Sequence, residues 1–132
     1  MIVINLFYAI FKPEKTILQT MDLQEINKLT GGDESFKKDL IEIFLKQIDE
    51  FIIKMNSYLN DNKMENLARE AHTAKSSVLI FGMVETGLLL KEIQHLAESN
   101  DTAPIPSLIK KVEIDLSEAK EVLLNEQKKT DD

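Results

Sequence analysis

The sequence contains no cysteine, which excludes disulfide bonds and thiolate metal sites outright. This absence fits the reducing cytosol, and we therefore expect a cytoplasmic location. Basic residues are also in the minority, with 16 against 23 acidic residues and a net charge of −7. Such a charge repels phosphate backbones and anionic lipid, and the chain has no local basic patch. Nucleic acid is therefore not an expected partner.

No apolar run is long enough to cross a bilayer. Residues 1–11 are almost wholly apolar, but a span needs about 20 such residues and this run stops at Lys12-Pro13. The segment also lacks the basic leader and the cleavage site of a signal peptide. We expect residues 1–20 to form an apolar extension that packs on the domain or on a second copy, without membrane insertion. The alternatives are a remnant of a longer protein or a wrongly assigned start.

Strand signals are absent as well, since there is no alternating apolar pattern and no hairpin dipeptide such as Asn-Gly. Helical spacing of apolar residues instead predicts five helices. Asp22 with Glu25 forms a capping-box pattern that opens a short first helix, and Gly31-Gly32 ends it. Asp33 is predicted to cap a long second helix that reaches about Leu59.

Three further helices follow. Asn62 with Glu65 forms a second capping-box pattern, which predicts the start of a third helix that ends at Gly82. A fourth helix is predicted from Val84 to Glu98, and a fifth begins at the proline-containing turn of residues 104–106.

Helices joined by short loops pack best as antiparallel neighbours. A chain of 132 residues, 43% of them hydrophobic, also suits a single core. The predicted fold is therefore all-α: an antiparallel four-helix up-down bundle over residues 21–127, with a short extra N-terminal helix. Residues 128–132 are predicted to be a polar tail.

The third helix carries the one constellation that indicates chemistry. On a helical wheel, His72 lies about 130° from the centre of the apolar stripe, so its imidazole should reach solvent. Lys75 and Arg69 lie one turn away on opposite sides. Ala68 and Ser76 are small and leave the ring uncovered, and an apolar residue, Leu79, follows two turns later.

This environment suits a histidine that accepts a phosphoryl group. An exposed imidazole is mostly neutral at pH 7 and can act as a nucleophile. Nearby cations would then offset the charge of the phosphoryl group. The bland alternative is that an exposed histidine beside Lys and Arg is only a surface residue, which is our interpretation of His95. No His/Glu pair has both the spacing and the shared buried face of a metal site.

The segment AHTAKSSVLIFG, residues 71–82, resembles the signature of histidine phosphotransfer (HPt) domains. The shared features are a histidine, a lysine three residues later, a run of small residues, and a glycine ten residues after the histidine. Residues 22–45 resemble the opening of the family, in which a short helix leads through Gly-Gly-Asp into a long amphipathic helix. The resemblance covers residues 21–124, the last helix by pattern only.

The resemblance implies that His72 is phosphorylated, that Lys75 is its electrostatic partner and that Gly82 ends the helix. The family usually has a glycine where this chain has Ser76. This difference leaves open whether the chain selects the same kind of partner as other members. A role for Arg69 as a second cation comes from its spacing and not from the family.

An apolar edge on the second helix offers a docking surface. On the helical wheel, one edge of the core stripe is formed by Phe36, Leu40 and Ile43. The first helix, the N-terminal extension or a partner is expected to cover this edge. The functional interpretation is that Phe36 and Leu40, with Ala68, Ser76 and Leu79, contact a receiver domain.

The resemblance also implies a relay. The chain would take a phosphoryl group from the aspartate of one receiver domain, as in a hybrid sensor kinase, and pass it to that of a response regulator. It has no Gly-rich phosphate loop, so it should not use ATP, and Mg²⁺ would belong to the receiver. The alternatives are an adaptor that sequesters a response regulator without transfer, and a scaffold that dimerises through the N-terminal extension. We expect a monomer.

Overall fold

The computed structural model describes residues 21–131, and within this range the chain forms five helices and no strand. The helices are α1 (Leu23–Thr30), α2 (Glu34–Asn60), α3 (Met64–Ile80), α4 (Val84–Glu98) and α5 (Ile105–Asp131). Helices α2 to α5 form the bundle, in which α3 lies between α2 and α4, and α5 closes the ring against both. The short α1 packs on α2. The predicted all-α fold is thereby confirmed.

The last helix extends beyond residue 127, the predicted end of the bundle. Helix α5 continues to Asp131, so residues 128–131 of the predicted polar tail are helical. The predicted element at residues 1–20 lies outside the described residues. In the part of the chain that is described, no helix is both long and apolar enough to cross a membrane.

One apolar core runs the length of the bundle. Each long helix contributes a stripe with spacings of three and four residues, which keeps the buried side chains on one face. In α2 this stripe is Ile41, Phe44, Ile48, Phe51 and Met55.

The contact between α3 and α4 is the most extensive of the bundle, and both helices contribute small residues to it. Small side chains let two helix backbones approach closely, because little volume separates them. Ala68 of α3 and Ala97 of α4 lie together at one end of this contact, and Gly87 of α4 lies against Lys75 and Leu79 of α3. Polar side chains at the rim of the two helices are therefore brought within reach of one another.

The first two helix caps form as predicted. The Asp22 carboxylate accepts a hydrogen bond from the Gln24 amide at 2.9 Å, and that of Asp33 accepts one from the Phe36 amide at 3.1 Å. The second half of the first capping box does not form. The Asp22 amide donates instead to the carbonyl of Phe81 at 3.0 Å.

The capping box predicted at Asn62 is wrong. Asn62 has a φ of +56° and ends α2, while Lys63 precedes α3 without a side-chain cap. The Asn62 amide donates to the carbonyl of Leu59, and the Lys63 amide donates to that of Tyr58 at 2.8 Å. These two bonds are those of a Schellman motif, whose left-handed residue is often Asn when it is not Gly.

A joint between α1 and the end of α3 explains why residue 82 is a glycine. Gly82 has a φ of +70°, and a Cβ atom there would lie 2.7 Å from the Cβ of Asp22. The preceding Phe81 ring stacks on Phe44 of α2, with ring centroids 4.3 Å apart. Its carbonyl also accepts the Asp22 amide bond, so three elements meet where α3 ends.

Polar pairs connect the long helices around the core. Lys120 of α5 lies 3.1 Å from Asp49 of α2. The buried hydroxyl of Thr86 on α4 donates to Asp115 of α5 at 2.8 Å. Burial raises the pKa of Asp115, and the Thr86 hydrogen bond opposes this rise. Within residues 21–131, every buried side-chain nitrogen and oxygen has a hydrogen-bond partner.

We expect Gly82→Ala to destabilise the fold more than Gly31→Ala. Both glycines have a positive φ, +70° and +60°, but nothing lies within 4 Å of a Cβ at Gly31. Gly31→Ala should therefore cost about 1 kcal/mol, from backbone strain alone. Gly82→Ala should cost about 2–4 kcal/mol, because the clash with Asp22 is added. Urea denaturation of the full chain measures both free energies of unfolding, and equal losses would contradict the role of this joint.

Candidate functional site

His72 lies on the side of α3 that faces α4, and its side chain is exposed as predicted. Its Nδ1 atom is 3.3 Å from Oε1 of Gln94, a half-buried residue of α4. The ring is therefore held from one side by the neighbouring helix. This contact is possible because α3 and α4 pack closely, which brings polar side chains at the edges of the two helices together.

A cleft of about 690 Å³ opens beside His72, between the first half of α3 and the last half of α4. Its floor includes the small residues Ala68 and Ala97, and their size leaves the space open. Charged and polar residues line the rest, among them Glu65, Arg69, Gln94 and Glu98. The histidine therefore sits at the rim of an open depression, most of whose lining residues are polar.

The position of Ala68 corrects one expectation. Ala68 was expected to be an accessible docking residue, but it is only 6% exposed. The side chain is covered because it lies between α3 and α4, where it lines the cleft. Its contribution is to leave room for the cleft beside His72.

The two predicted cations lie on either side of His72 along α3. Arg69 is exposed and lines the cleft. Lys75 is half-buried, and its Cγ atom is 3.8 Å from the position that a Cβ of Gly87 would take. Because Gly87 has no side chain, the stem of Lys75 can pack along α4 while its ammonium group stays at the surface.

Beyond Lys75 the surface becomes apolar. Leu79 is 45% exposed, and its Cδ2 atom would lie 2.9 Å from a Cβ of Gly87. Val84 and Leu88 of α4 are exposed as well. Ser76 is exposed, and its hydroxyl donates to the carbonyl of His72 at 3.3 Å, which keeps the side chain low against the helix. The serine at this position therefore leaves the ring of His72 accessible.

The predicted edge of α2 is partly exposed. Phe36 is 44% exposed, whereas Leu40 is half-buried and packs against the core. Phe36 lies 18 residues, or five helical turns, before Lys54 and so shares its face. Lys54 is close enough to Glu70 on α3 to affect its pKa. Burial raises the pKa of Glu70, and the positive charge of Lys54 opposes that rise. Phe36 is therefore on the side of α2 that faces α3.

Reasoning from the sequence missed two residues of the site, Gln94 and Glu98. The Gln94 amide nitrogen donates to the Glu98 carboxylate at 3.5 Å, so that His72, Gln94 and Glu98 form a row of contacts. Their places on α4 follow from the helical period, but the pairing of Gln94 with His72 depends on how far α4 is shifted along α3. No short sequence pattern indicates the position of α4 along α3.

The remaining candidate residues form no site of their own. His95 is exposed on the outer side of α4, in a shallow depression that it shares with Leu88 and Lys91. In residues 21–131 no three side chains of His, Asp or Glu converge as metal ligands would.

Comparison with known proteins agrees with this fold and motif. The family model of the Hpt domain matches residues 39–122, well over half of the chain. The phosphorelay intermediate protein YPD1 of Candida albicans is 28% identical over 71 residues, which are 54% of this chain and 39% of that protein. The chain thus spans well under half the length of this relative.

A solved structure shows the same fold. The histidine-containing phosphotransfer protein B (HptB) of Pseudomonas aeruginosa superimposes with a TM-score of 0.78, at 19% sequence identity. The superposition covers 83% of this chain and 96% of that one. Together with the family match over α2 to α5, these findings show that the chain belongs to the Hpt domain family.

Proposed function

We propose that this chain is a histidine phosphotransfer protein. His72 accepts a phosphoryl group from the aspartate of one receiver domain and passes it to the aspartate of another. The observation that carries this proposal is the exposed imidazole of His72, held through Nδ1 by Gln94 at the rim of an open cleft. Membership of the Hpt family supports it, as do the two similar proteins, a phosphorelay intermediate and a histidine-containing phosphotransfer protein.

The contact with Gln94 selects the reacting nitrogen. An amide oxygen only accepts hydrogen bonds, so Nδ1 of His72 carries the proton when it faces Oε1 of Gln94. The neutral ring then has its lone pair on Nε2. This nitrogen is the nucleophile that we assign to the reaction.

In the proposed step, the Nε2 lone pair attacks the phosphorus of the receiver's aspartyl phosphate. The N–P bond forms as the bond between phosphorus and the aspartate oxygen breaks, and the carboxylate leaves with that electron pair. The ring keeps its Nδ1 proton and gains positive charge, which the Gln94 oxygen stabilises. The reverse sequence, on a second receiver, passes the phosphoryl group onward.

The negative charge of the phosphoryl group would be offset by cations of both proteins. Arg69 and Lys75, which flank His72 on α3, would offset it on this side. We propose that Mg²⁺ is held by the receiver and that this chain needs no cofactor of its own. Most of the stabilisation of the transition state would then come from the partner, which makes this chain a carrier.

The docking surface that we propose surrounds the exposed face of α3. It combines Leu79 and Ser76 near the histidine with Phe36 on the adjacent side of α2. A surface that is partly apolar and partly polar suits an interface that forms and separates in each transfer. The proposed partners are the receiver of a hybrid sensor kinase and that of a response regulator, which a monomeric, cytoplasmic chain would meet in turn.

Transfer from phosphorylated receivers tests the proposal. Receiver domains from the same genome, loaded with acetyl phosphate and Mg²⁺, should label the full chain with an acid-labile and base-stable phosphoryl group. His72→Gln should abolish the label, because the nucleophile is removed. The matched control is His95→Gln, which replaces the only other histidine of the sequence and should label normally. Receivers that bind the wild type without labelling it would favour the adaptor instead.

Gln94→Leu tests the selection of the ring nitrogen. Leucine has a similar size but accepts no hydrogen bond, so the charged ring loses its partner. We expect the transfer rate to fall by about 10–100-fold, as for a hydrogen bond to a charged group. Rapid-quench kinetics at saturating receiver measure this rate, and calorimetry should show unchanged receiver binding. Transfer at the wild-type rate would remove Gln94 from the mechanism.

A pair of charge substitutions tests the docking surface. Phe36→Glu should weaken binding of a receiver by at least about tenfold, because a carboxylate would be desolvated in the interface. The control is Ile53→Glu, also on α2, at an apolar residue that is 68% exposed. Ile53 lies about 25 Å along the helix, on the side of the α5 contacts. Equal effects of the two substitutions on the dissociation constant would argue against this surface.

A further inference from the structure

We propose that Glu98 is a positioning residue, which fixes the orientation of the Gln94 amide and thereby decides which nitrogen of His72 reacts. The inference deepens the proposed phosphotransfer function and depends on that function for its biological meaning. Which ring nitrogen of His72 carries the proton can, however, be measured without any partner.

The three side chains form a row along the cleft. Glu98 follows Gln94 by four residues on α4, so the two side chains share one face of the helix. The Gln94 amide nitrogen is 3.5 Å from a carboxylate oxygen of Glu98, and its amide oxygen is 3.3 Å from Nδ1 of His72. All three residues line the same cleft.

Hydrogen-bonding chemistry gives this row a direction. The Gln94 amide has one end that donates and one that accepts, and in isolation either end could face the histidine. An ionised carboxylate only accepts, so Glu98 favours the orientation in which the NH₂ group of Gln94 faces it. The oxygen is then left for His72, whose Nδ1 must carry the proton.

The same row stabilises the ring while it carries the phosphoryl group. His72 donates to Gln94 and Gln94 donates to Glu98, and hydrogen bonds that run in one direction polarise one another. The negative end of the row is the Glu98 carboxylate. Positive charge that develops on the imidazole during attack is therefore favoured, although Glu98 itself need not touch the phosphoryl group.

Reversal of the charge at residue 98 should reverse the row. In Glu98→Lys the ammonium group only donates, so it favours the amide oxygen of Gln94. The NH₂ group would then face His72 and favour an unprotonated Nδ1. The ring proton would move to Nε2, the solvent-facing nitrogen, which loses the lone pair needed for attack.

The experiment is nitrogen-15 NMR of the His72 ring in the full chain, under conditions in which the ring is neutral. The wild type should be mainly protonated at Nδ1, Glu98→Lys mainly at Nε2, and Glu98→Gln between them. The control is Glu92→Lys, which makes the same charge change on α4. Glu92 is exposed and two residues from Gln94, so it points to another side of the helix. This variant should keep the wild-type pattern.

Transfer kinetics provide the second readout. Glu98→Lys should slow transfer from a phosphorylated receiver by about tenfold or more, whereas Glu92→Lys should not. An unchanged protonation pattern in Glu98→Lys would overturn the inference, even if the wild type transfers normally. A shifted pattern in Glu98→Lys, together with a wild type that no receiver labels, would support the positioning role and overturn the proposed function alone.

Discussion

The close approach of α3 and α4 is the constraint on which the site depends. It is possible because small residues lie at the contact, among them Ala68 of α3 and Gly87 and Ala97 of α4. A larger side chain at the centre of this contact would push the helices apart and separate His72 from Gln94. Ala68 and Ala97 also leave the cleft open beside the histidine. The packing of α3 on α4 and the geometry of the site therefore depend on the same few residues.

The site combines a fixed ring with an accessible face. One nitrogen of His72 is tied to α4 through Gln94, while the rest of the ring faces the cleft and solvent. Cations lie on both sides along α3, and apolar surface begins at Leu79. In the proposed function, this arrangement presents the ring in one orientation to a receiver domain, which would supply the remaining catalytic groups.

Much of the fold could be predicted because helix periodicity and caps are local. The five helices, the exposure of His72 and the end of α3 at Gly82 all follow from residues close in sequence. Asn62 was misinterpreted because Asn suits both a helix start and the left-handed residue that ends a helix. The burial of Ala68 and the contact between Gln94 and His72 depend on the register between α3 and α4. That register is set by packing over the whole interface, which no short motif encodes.

The most direct test of the central claim is to locate the phosphoryl group on a single atom. After transfer from a phosphorylated receiver, nitrogen-15 and phosphorus-31 NMR of the labelled chain can show which nitrogen is bonded to phosphorus. The structure predicts Nε2 of His72, with Nδ1 still facing Gln94. A phosphoryl group on Nδ1, or on any other residue, would contradict the account.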